Sequence, residues 1–393
     1  MSDATVSLSQ AAIGERLRQA REKAGIKQAE AAADASLART TLIAIEQGQR
    51  KVRMDELRTF AKIYRTSVNE LLRQEAIQSN LAPKFRKQFQ RIDDAIEQAV
   101  QKLAGLAQAE VELEQLLGMK RTYNYPPERQ IMPGDVRAQA EQDALELRQW
   151  LGLGLSPISD IITLLEIELG VRVYIRRLKG PISGLFAYDD QLGACILLNA
   201  NHPRERRTQT AAHELGHLVS TRRSPEVLEE EQTTNSREER YATAFAIAFL
   251  TPARAVMQKF NEIVAGADKL TRRHIIILAH VFGVSREAMA RRLEDLKLTK
   301  TGTWDWFVAN GNITDDQARQ VLGDLPASDN HKGEADRPTT LRLALLAGEA
   351  WRRELLSEGQ LARMLHIDRL ELRRMFEGLE IEGSEADGAV LPD

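Results

Sequence analysis

The densest chemistry in the sequence is His213-Glu214-Leu215-Gly216-His217. Two histidines four residues apart on a helix project from one face, one turn apart, so both imidazoles can reach a single zinc ion at about 2.0–2.1 Å. The glutamate between them lies beside that face. It can take a proton from a water that zinc has made acidic, with a pKa lowered to about 7. The chemistry requires a helix, and the pattern supplies one: Ala211, Ala212, Leu215, Leu218 and Val219 form an apolar stripe, and no proline interrupts residues 204–224.

A catalytic zinc takes a third protein ligand and leaves its fourth position open. The single cysteine, Cys195, rules out an intramolecular disulfide and a cysteine-rich zinc module, so any metal must be held by histidine and carboxylate. Downstream carboxylates are Glu226, Glu229, Glu230, Glu231, Glu238 and Glu239, and only the last two open a strongly apolar helix, Tyr241 to Leu250. Ser236 followed by Glu239 is also a capping box, so Glu239 as ligand, Glu238 as ligand and a pure capping role stay open on spacing alone. His280, within the apolar run Ile275 to Phe282, reads as a core histidine, and His202 beside Pro203 as a loop residue. His274, His331 and His366 have no metal-ligand spacing. Cys195 sits in an apolar run and reads as a small core residue.

The elements that must position these groups follow from periodicity. Residues 13–72 carry five short helical patterns: Ile13, Leu17 and Ala20 share a face closed by Gly25, Gln28 to Ala33 and Leu37 to Gln47 follow, and a Ser67/Glu70 capping box opens the last. Two short helices joined by a tight turn are helix-turn-helix geometry. From Phe85, the positions Phe89, Ile92, Ile96, Ala99, Leu103 and Leu106 form a heptad seam, either packed on its own chain or open to a second copy as a homodimer. Pro126, Pro127, Pro133 and Gly134 mark a linker. Val171 to Ile175, Gly184 to Tyr188 and Ala194 to Leu198 read as strands of a small sheet, and helical patterns resume at 205–222, 236–250, 270–282 and 285–296. Pro326 to Pro338 reads as a second linker; beyond it, Ser357/Gln360 and Asp368/Glu371 open two short helices. No internal repeat is evident.

A chain of 393 residues has room for several domains, and 43% hydrophobic with 28% charged residues is ordinary globular composition. Residues 1–75 carry +3 and the remainder −6 of the net −3, which excludes a strongly basic coat protein. The longest apolar run, Ala242 to Leu250, is far below the roughly 20 residues of a membrane span, and the start lacks a signal pattern, so a reduced, cytoplasmic setting is expected.

Arg207, the His213-to-His217 block, then Glu239, Ala242, Phe245, Ala246, Leu250 and Pro252, and the later run Val284-Ser285 to Leu293 together resemble the ImmA/IrrE family of zinc metallopeptidases over roughly residues 150–300. The resemblance implies that Glu239 completes a Zn2+ site with His213 and His217, and that Glu214 is catalytic. Thr243 departs from it, standing where the family usually has Asn or Asp. The N-terminal segment resembles the Xre, or Cro/repressor-type, helix-turn-helix through Arg16-Leu17-Arg18, Ala20-Arg21, Gln28, Arg39-Thr40-Thr41-Leu42, Ile45-Glu46, Gly48, Leu57 and Ala61. It implies DNA contacts by Gln28, Arg39, Thr40 and Thr41, with Arg50 and Lys51 near phosphate. Ala38 departs from the usual capping serine, as do Ile43 and Ala44 from polar residues.

The expected fold is multidomain and mainly α: a five-helix helix-turn-helix bundle (10–75), a long helix and linker (80–130), an α+β zincin-like domain with a small sheet and the HExxH helix as its active-site helix (136–300), a linker (301–338) and an accessory helical region (339–380). The expected function is a transcriptional regulator, bound to operator DNA, fused to a zinc endopeptidase that cleaves a repressor or antitoxin-like protein in a stress or mobile-element response. The alternative is a ligand- or partner-sensing transcription factor whose metallopeptidase-like domain does not cleave.

Overall fold

The structure, a computed structural model, describes residues 10–64, 66, 71, 81, 85, 93–229, 236–323 and 340–379. The chain divides into two compact units, Met1–Gln78 and Ser79–Asp393.

In the first unit, α1 (Gln10–Lys23), α2 (Gln28–Asp34), α3 (Arg39–Glu46) and α4 (Met54–Ile63) surround Leu17, Leu42, Ile45, Leu57 and Phe60. The turn from α2 to α3 runs through Ser36 at φ 54° and Leu37, so α3 opens at Arg39, two residues later than periodicity suggests. Ala38 provides no side-chain cap there. The Arg21 guanidinium grips the buried Glu46 carboxylate at 2.6 and 3.0 Å, a fork that satisfies both charges away from water. The expected fifth helix and the Ser67/Glu70 box lie outside the described residues.

The second unit is built on a four-stranded mixed sheet. Its strands are β1 (Arg172–Arg176), β2 (Ile182–Asp189), β3 (Gly193–Asn199) and β4 (Glu226–Glu229), in the order β1-β3-β2-β4. β1 runs parallel to β3 (Val173 opposite Ile196), and β2 runs antiparallel to both β3 and β4. β4 was not foreseen: a four-residue strand with two glutamates gives little alternation to read. Because side chains alternate across a strand, the sheet has two covered faces. Val173, Phe186, Ile196 and Leu198 join the main core with α8 (Arg204–Ser220), α6 (Val136–Trp150) and α9 (Arg237–Leu250). The opposite face meets α5 (Asp94–Leu117), where Tyr174 donates its hydroxyl to Glu110 at 2.6 Å. Cys195 is fully buried, and burial pushes its thiol up to about 12, which fits an inert core residue.

Ile96, Ala99, Leu103 and Leu106 are all buried within the chain, so the described part of the seam packs intramolecularly and is not left open for a second copy. α5 also carries the two carboxylates of a buried ionic cluster, Glu110 and Glu114. Arg121 pairs with Glu110 and Glu114, Arg172 of β1 reaches Glu114 at 2.8 Å, and Arg342 reaches Glu114 at 3.0 Å. Burial alone would raise the Glu114 carboxyl, but Arg172 and Arg121 hold it at about 2.

α6 is tied to α9 by the Tyr241 hydroxyl, which donates to Asp143 at 2.7 Å, and by Arg148, which donates to the carbonyls of Phe249 (2.6 Å), Gly154 (2.9 Å) and Ser156. A short helix α7 (Ile161–Thr163) continues into a π-turn over Leu164–Glu168 before β1. After α9 come α10 (Ala253–Val264), α11 (Arg272–Phe282) and α12 (Arg286–Asp295). The expected linker from 301 is corrected at its start: α13 (Thr303–Ala309) and α14 (Asp315–Leu322) fold back so that Phe307 and Ile313 pack on Ile275, Ile276 and Ala290. Pro326 to Pro338 lies outside the described residues. The last helices are α15 (Leu341–Arg352), α16 (Glu358–Met364) and α17 (Arg369–Glu377), with the Thr340 hydroxyl donating to the Val173 carbonyl at 3.0 Å.

Candidate metal centre and nucleic-acid interface

α8 carries the His-Glu-x-x-His residues, and α9 crosses it closely at Gly216. A Cβ on Gly216 would lie 2.9 Å from Ala242 Cα, so glycine permits the close crossing that brings Glu239 to the histidines. His213 Nε2 and His217 Nε2 stand 3.1 Å apart. The two Glu239 carboxylate oxygens lie 3.3 Å from them, Oε2 from His213 and Oε1 from His217. These are the residues among those described whose ligand atoms converge. The donor set fits zinc: two imidazole nitrogens and one carboxylate, without cysteine, face a common point.

The two roles open to Glu239 fall on different atoms. Ser236 accepts from the Glu239 backbone N–H at 3.1 Å, so the serine caps α9, while the Glu239 carboxylate turns to the histidines. Burial would raise that carboxyl, but the hydrogen bonds with His213 and His217 outweigh it and hold it well below the usual range. Glu238 takes no part in the convergence; Glu226, on β4, is raised to about 8 by burial and by the neighbouring Glu239 and Glu238. Glu230 and Glu231 lie outside the described residues.

Glu214 is wholly buried, and neither carboxylate oxygen has a hydrogen-bond partner among the described residues. Burial first, then the charges of Glu239 and Glu226, push its pKa well up. Room for it comes from Gly184 on β2, beside the irregularity in the β2–β4 register: a Cβ there would meet Thr210 at 2.6 Å and the Glu214 carboxylate at 3.2 Å.

Each histidine has a threonine hydroxyl on its Nδ1 side. Thr221 lies 3.0 Å from His217 Nδ1 and Thr243 lies 3.5 Å from His213 Nδ1, contacts that fix which ring nitrogen faces the centre. Thr243 was expected beside the site. Thr221 was missed, although it continues the row His213, His217 at the same four-residue step. A cleft of about 1510 Å3 opens on the centre through His213 and Thr243 and runs past Ser183, Thr210, Leu228 and Glu229. His280 is exposed on this cleft, not in the core as its apolar neighbours suggested. His202 is a buried loop residue, His274 caps α11 by accepting from the Thr271 N–H at 3.1 Å, and His331 lies outside the described residues.

In the first unit, Arg39, Thr40 and Lys51 are exposed and Thr41 is half-buried at the start of α3. Gln28 donates its amide to Glu46 at 2.8 Å, and Arg50 is held by Glu56 at 2.9 Å. Both are therefore paired with acids of their own unit while remaining half-exposed.

Residues 12–74 match a helix-turn-helix domain, and residues 167–294 match the IrrE N-terminal-like domain of the Peptidase M78 family. The chain joins a helix-turn-helix domain to an ImmA/IrrE domain. The ImmA/IrrE domain contains β1 to β4, α8 and α9, and hence all the converging residues of the metal centre. No curated protein matches the chain. Among solved structures, the crystal structure of ComR from Streptococcus suis is 10% identical over 95% of each chain, with a TM-score of 0.16, too low a likeness to bear on fold or function. No helix among the described residues is long and apolar enough to cross a membrane.

Proposed function

We propose that this protein is a DNA-binding transcription regulator whose ImmA/IrrE domain is a zinc-dependent endopeptidase acting on a partner repressor or antitoxin-like protein. The observation that carries the proposal is a buried Glu214 carboxylate, without a hydrogen-bond partner among the described residues, next to three converging ligand residues of which His213 lines an open cleft. His213, His217 and Glu239 would hold the metal, which when bound supplies Lewis acidity toward a carbonyl and toward water. Thr221 and Thr243 hold the imidazoles in register. Glu214 takes the proton of the attacking water on its carboxylate and passes it to the leaving amine. β4 is the edge of the sheet, and Leu228 and Glu229 line the cleft, so an extended substrate chain can add there by main-chain pairing. On the DNA side, exposed Arg39 and Thr40 and half-buried Thr41 open α3 as base-edge readers, with exposed Lys51 as a phosphate contact. Gln28 and Arg50 act through the bundle, fixing α2 and the end of α3.

The experiment incubates the zinc-loaded protein with the regulator encoded beside it and follows cleavage by mass spectrometry, with Glu214→Gln in parallel. The wild type is expected to cleave, and Glu214→Gln to keep its zinc and lose at least about a hundredfold in rate. A wild type that binds zinc and DNA but leaves the regulator whole establishes the non-proteolytic, sensing alternative instead.

A further inference from the structure

The last three helices repeat the geometry of the first unit. α2 and α16 both have seven residues, and each is followed by a four-residue turn into a helix that begins with arginine, Arg39 or Arg369. The second turn residue is left-handed in both, Ser36 at φ 54° and His366 at φ 53°. The backbone bonds that close the turn correspond one for one. Ala35, Ser36 and Leu37 donate to Ala31, Ala33 and Ala32, while Leu365, His366 and Ile367 donate to Leu361, Arg363 and Ala362. Burial follows the same register: Ala31 and Ala32 match Leu361 and Ala362, and Leu42 and Ile45 match Leu372 and Met375. α15 precedes α16 as α1 precedes α2, before a loop one residue longer, and buries Leu343, Leu346, Ala347 and Ala350, packing chiefly on α5. The sequence alone hid this repeat, because a shared pattern of buried positions and one left-handed residue leaves few identities.

We propose that residues 340–379 are a second helix-turn-helix that binds duplex DNA through α17. The outward face of that helix carries Arg369, Arg373 and Arg374 against a single exposed acid, Glu377. Glu371 is turned back on the N-cap of its own helix, with Asp368. Among the described residues Arg373 makes its side-chain hydrogen bonds to Glu358, at 2.9 Å in a solvent-exposed pair, an interaction weak enough in water to be exchanged for a phosphate. Arg374 makes no side-chain hydrogen bond or ion pair among the described residues. Leu370, 59% exposed, takes the position of Thr40, where an apolar side chain can meet a thymine methyl. The turn is anchored on the rest of the unit: Arg176 donates to the Leu365 carbonyl at 3.4 Å and His366 sits over Gly105 of α5, while the exposed residues of α17 stay outward. This second reader shares its template with the N-terminal one but not its binding site, and its role does not depend on peptidase activity.

The test uses the full chain and a fluorescent 40-base-pair duplex of randomised sequence, with affinity measured by anisotropy over a range of salt concentrations. Four proteins are compared: wild type, Arg39→Ala/Lys51→Ala, Arg369→Ala/Arg373→Ala/Arg374→Ala, and the combination. The C-terminal triple variant is expected to bind about tenfold or more weakly, and the slope of log affinity against log salt to fall by about 1 for every phosphate that the variant no longer neutralises. The loss should appear on both backgrounds. A matched Arg369→Lys/Arg373→Lys/Arg374→Lys variant should keep the slope. Unchanged affinity and slope in the alanine triple overturns the proposal, as does an equal loss in the lysine triple, which would trace the effect to folding. Failure of the N-terminal pair to weaken binding would instead overturn the Arg39 assignment and leave this one standing.

Discussion

Gly216→Ala isolates the crossing on which the metal centre depends. The added Cβ would lie 2.9 Å from Ala242 Cα and 3.2 Å from its Cβ, where ordinary contact begins at 3.4 Å, so α8 and α9 must part by about 0.5 Å or more. The nearest atom is backbone, so truncating Ala242 gives no relief. Alanine favours an isolated helix by about 1 kcal/mol over glycine, whereas overpacking costs about 1–3 kcal/mol; the net effect is a loss of up to about 2 kcal/mol. The larger consequence falls on Glu239, three residues before Ala242, which moves away from histidines now 3.3 Å from its oxygens. A site held to about 0.5 Å loses its tolerance at that displacement, and zinc affinity is expected to fall about 10–100-fold. Competition against a chromophoric chelator gives the affinity, and a thermal melt in excess EDTA gives the stability of the metal-free fold. Wild-type zinc affinity together with an unchanged or raised metal-free melting temperature would refute the claim that this glycine sets the separation.

Two further perturbations probe the scaffold. Arg148→Met orphans the carbonyls of Gly154, Ser156 and Phe249 while removing a buried charge, for an expected loss of about 2–4 kcal/mol in urea melts; an unchanged midpoint would show that those bonds contribute nothing net. Glu166, in the π-turn, is raised to about 8, chiefly by burial. A raised folded-state pKa favours the proton-bound form, so its contribution is complete below the ordinary value of 4.5 and is lost as pH rises through about 8. Glu166→Gln should therefore flatten the decline in melting temperature between pH 5 and 9, and an identical pH profile in the variant would remove Glu166 as its source.

Much of the site was legible because its chemistry is written in short steps. The four-residue spacing of His213 and His217 fixes their shared face whatever the surrounding fold does, whereas spacing left Glu239, Glu238 and a capping role open, and the family resemblance alone singled out Glu239. What escaped was set by tertiary approach. Nothing near Gly184 in the sequence says that its missing Cβ houses the Glu214 carboxylate. His280 sits among apolar neighbours yet faces the cleft, because periodicity gives a face and does not say which faces meet solvent. The helices within 303–322 were hidden by polar composition, their few apolar residues being enough only because α11 and α12 offer a surface to cover.

The buried cluster of Glu110, Glu114, Arg121, Arg172 and Arg342 separates the boundary of kinship from the boundary of folding. The segment that matches the ImmA/IrrE family runs from 167 to 294, yet of these five residues it holds only Arg172, whose side chain is 1% exposed. A fragment cut at the family limits would carry that guanidinium without its carboxylates, a defect of about 3–5 kcal/mol against a total stability that is typically about 5–15 kcal/mol. A fragment ending before 340 would keep the carboxylates and lose Arg342 and the Thr340 bond to Val173. The smallest piece that can stand alone therefore runs from α5 through at least the start of α15, and the inheritable unit is shorter than the one that folds.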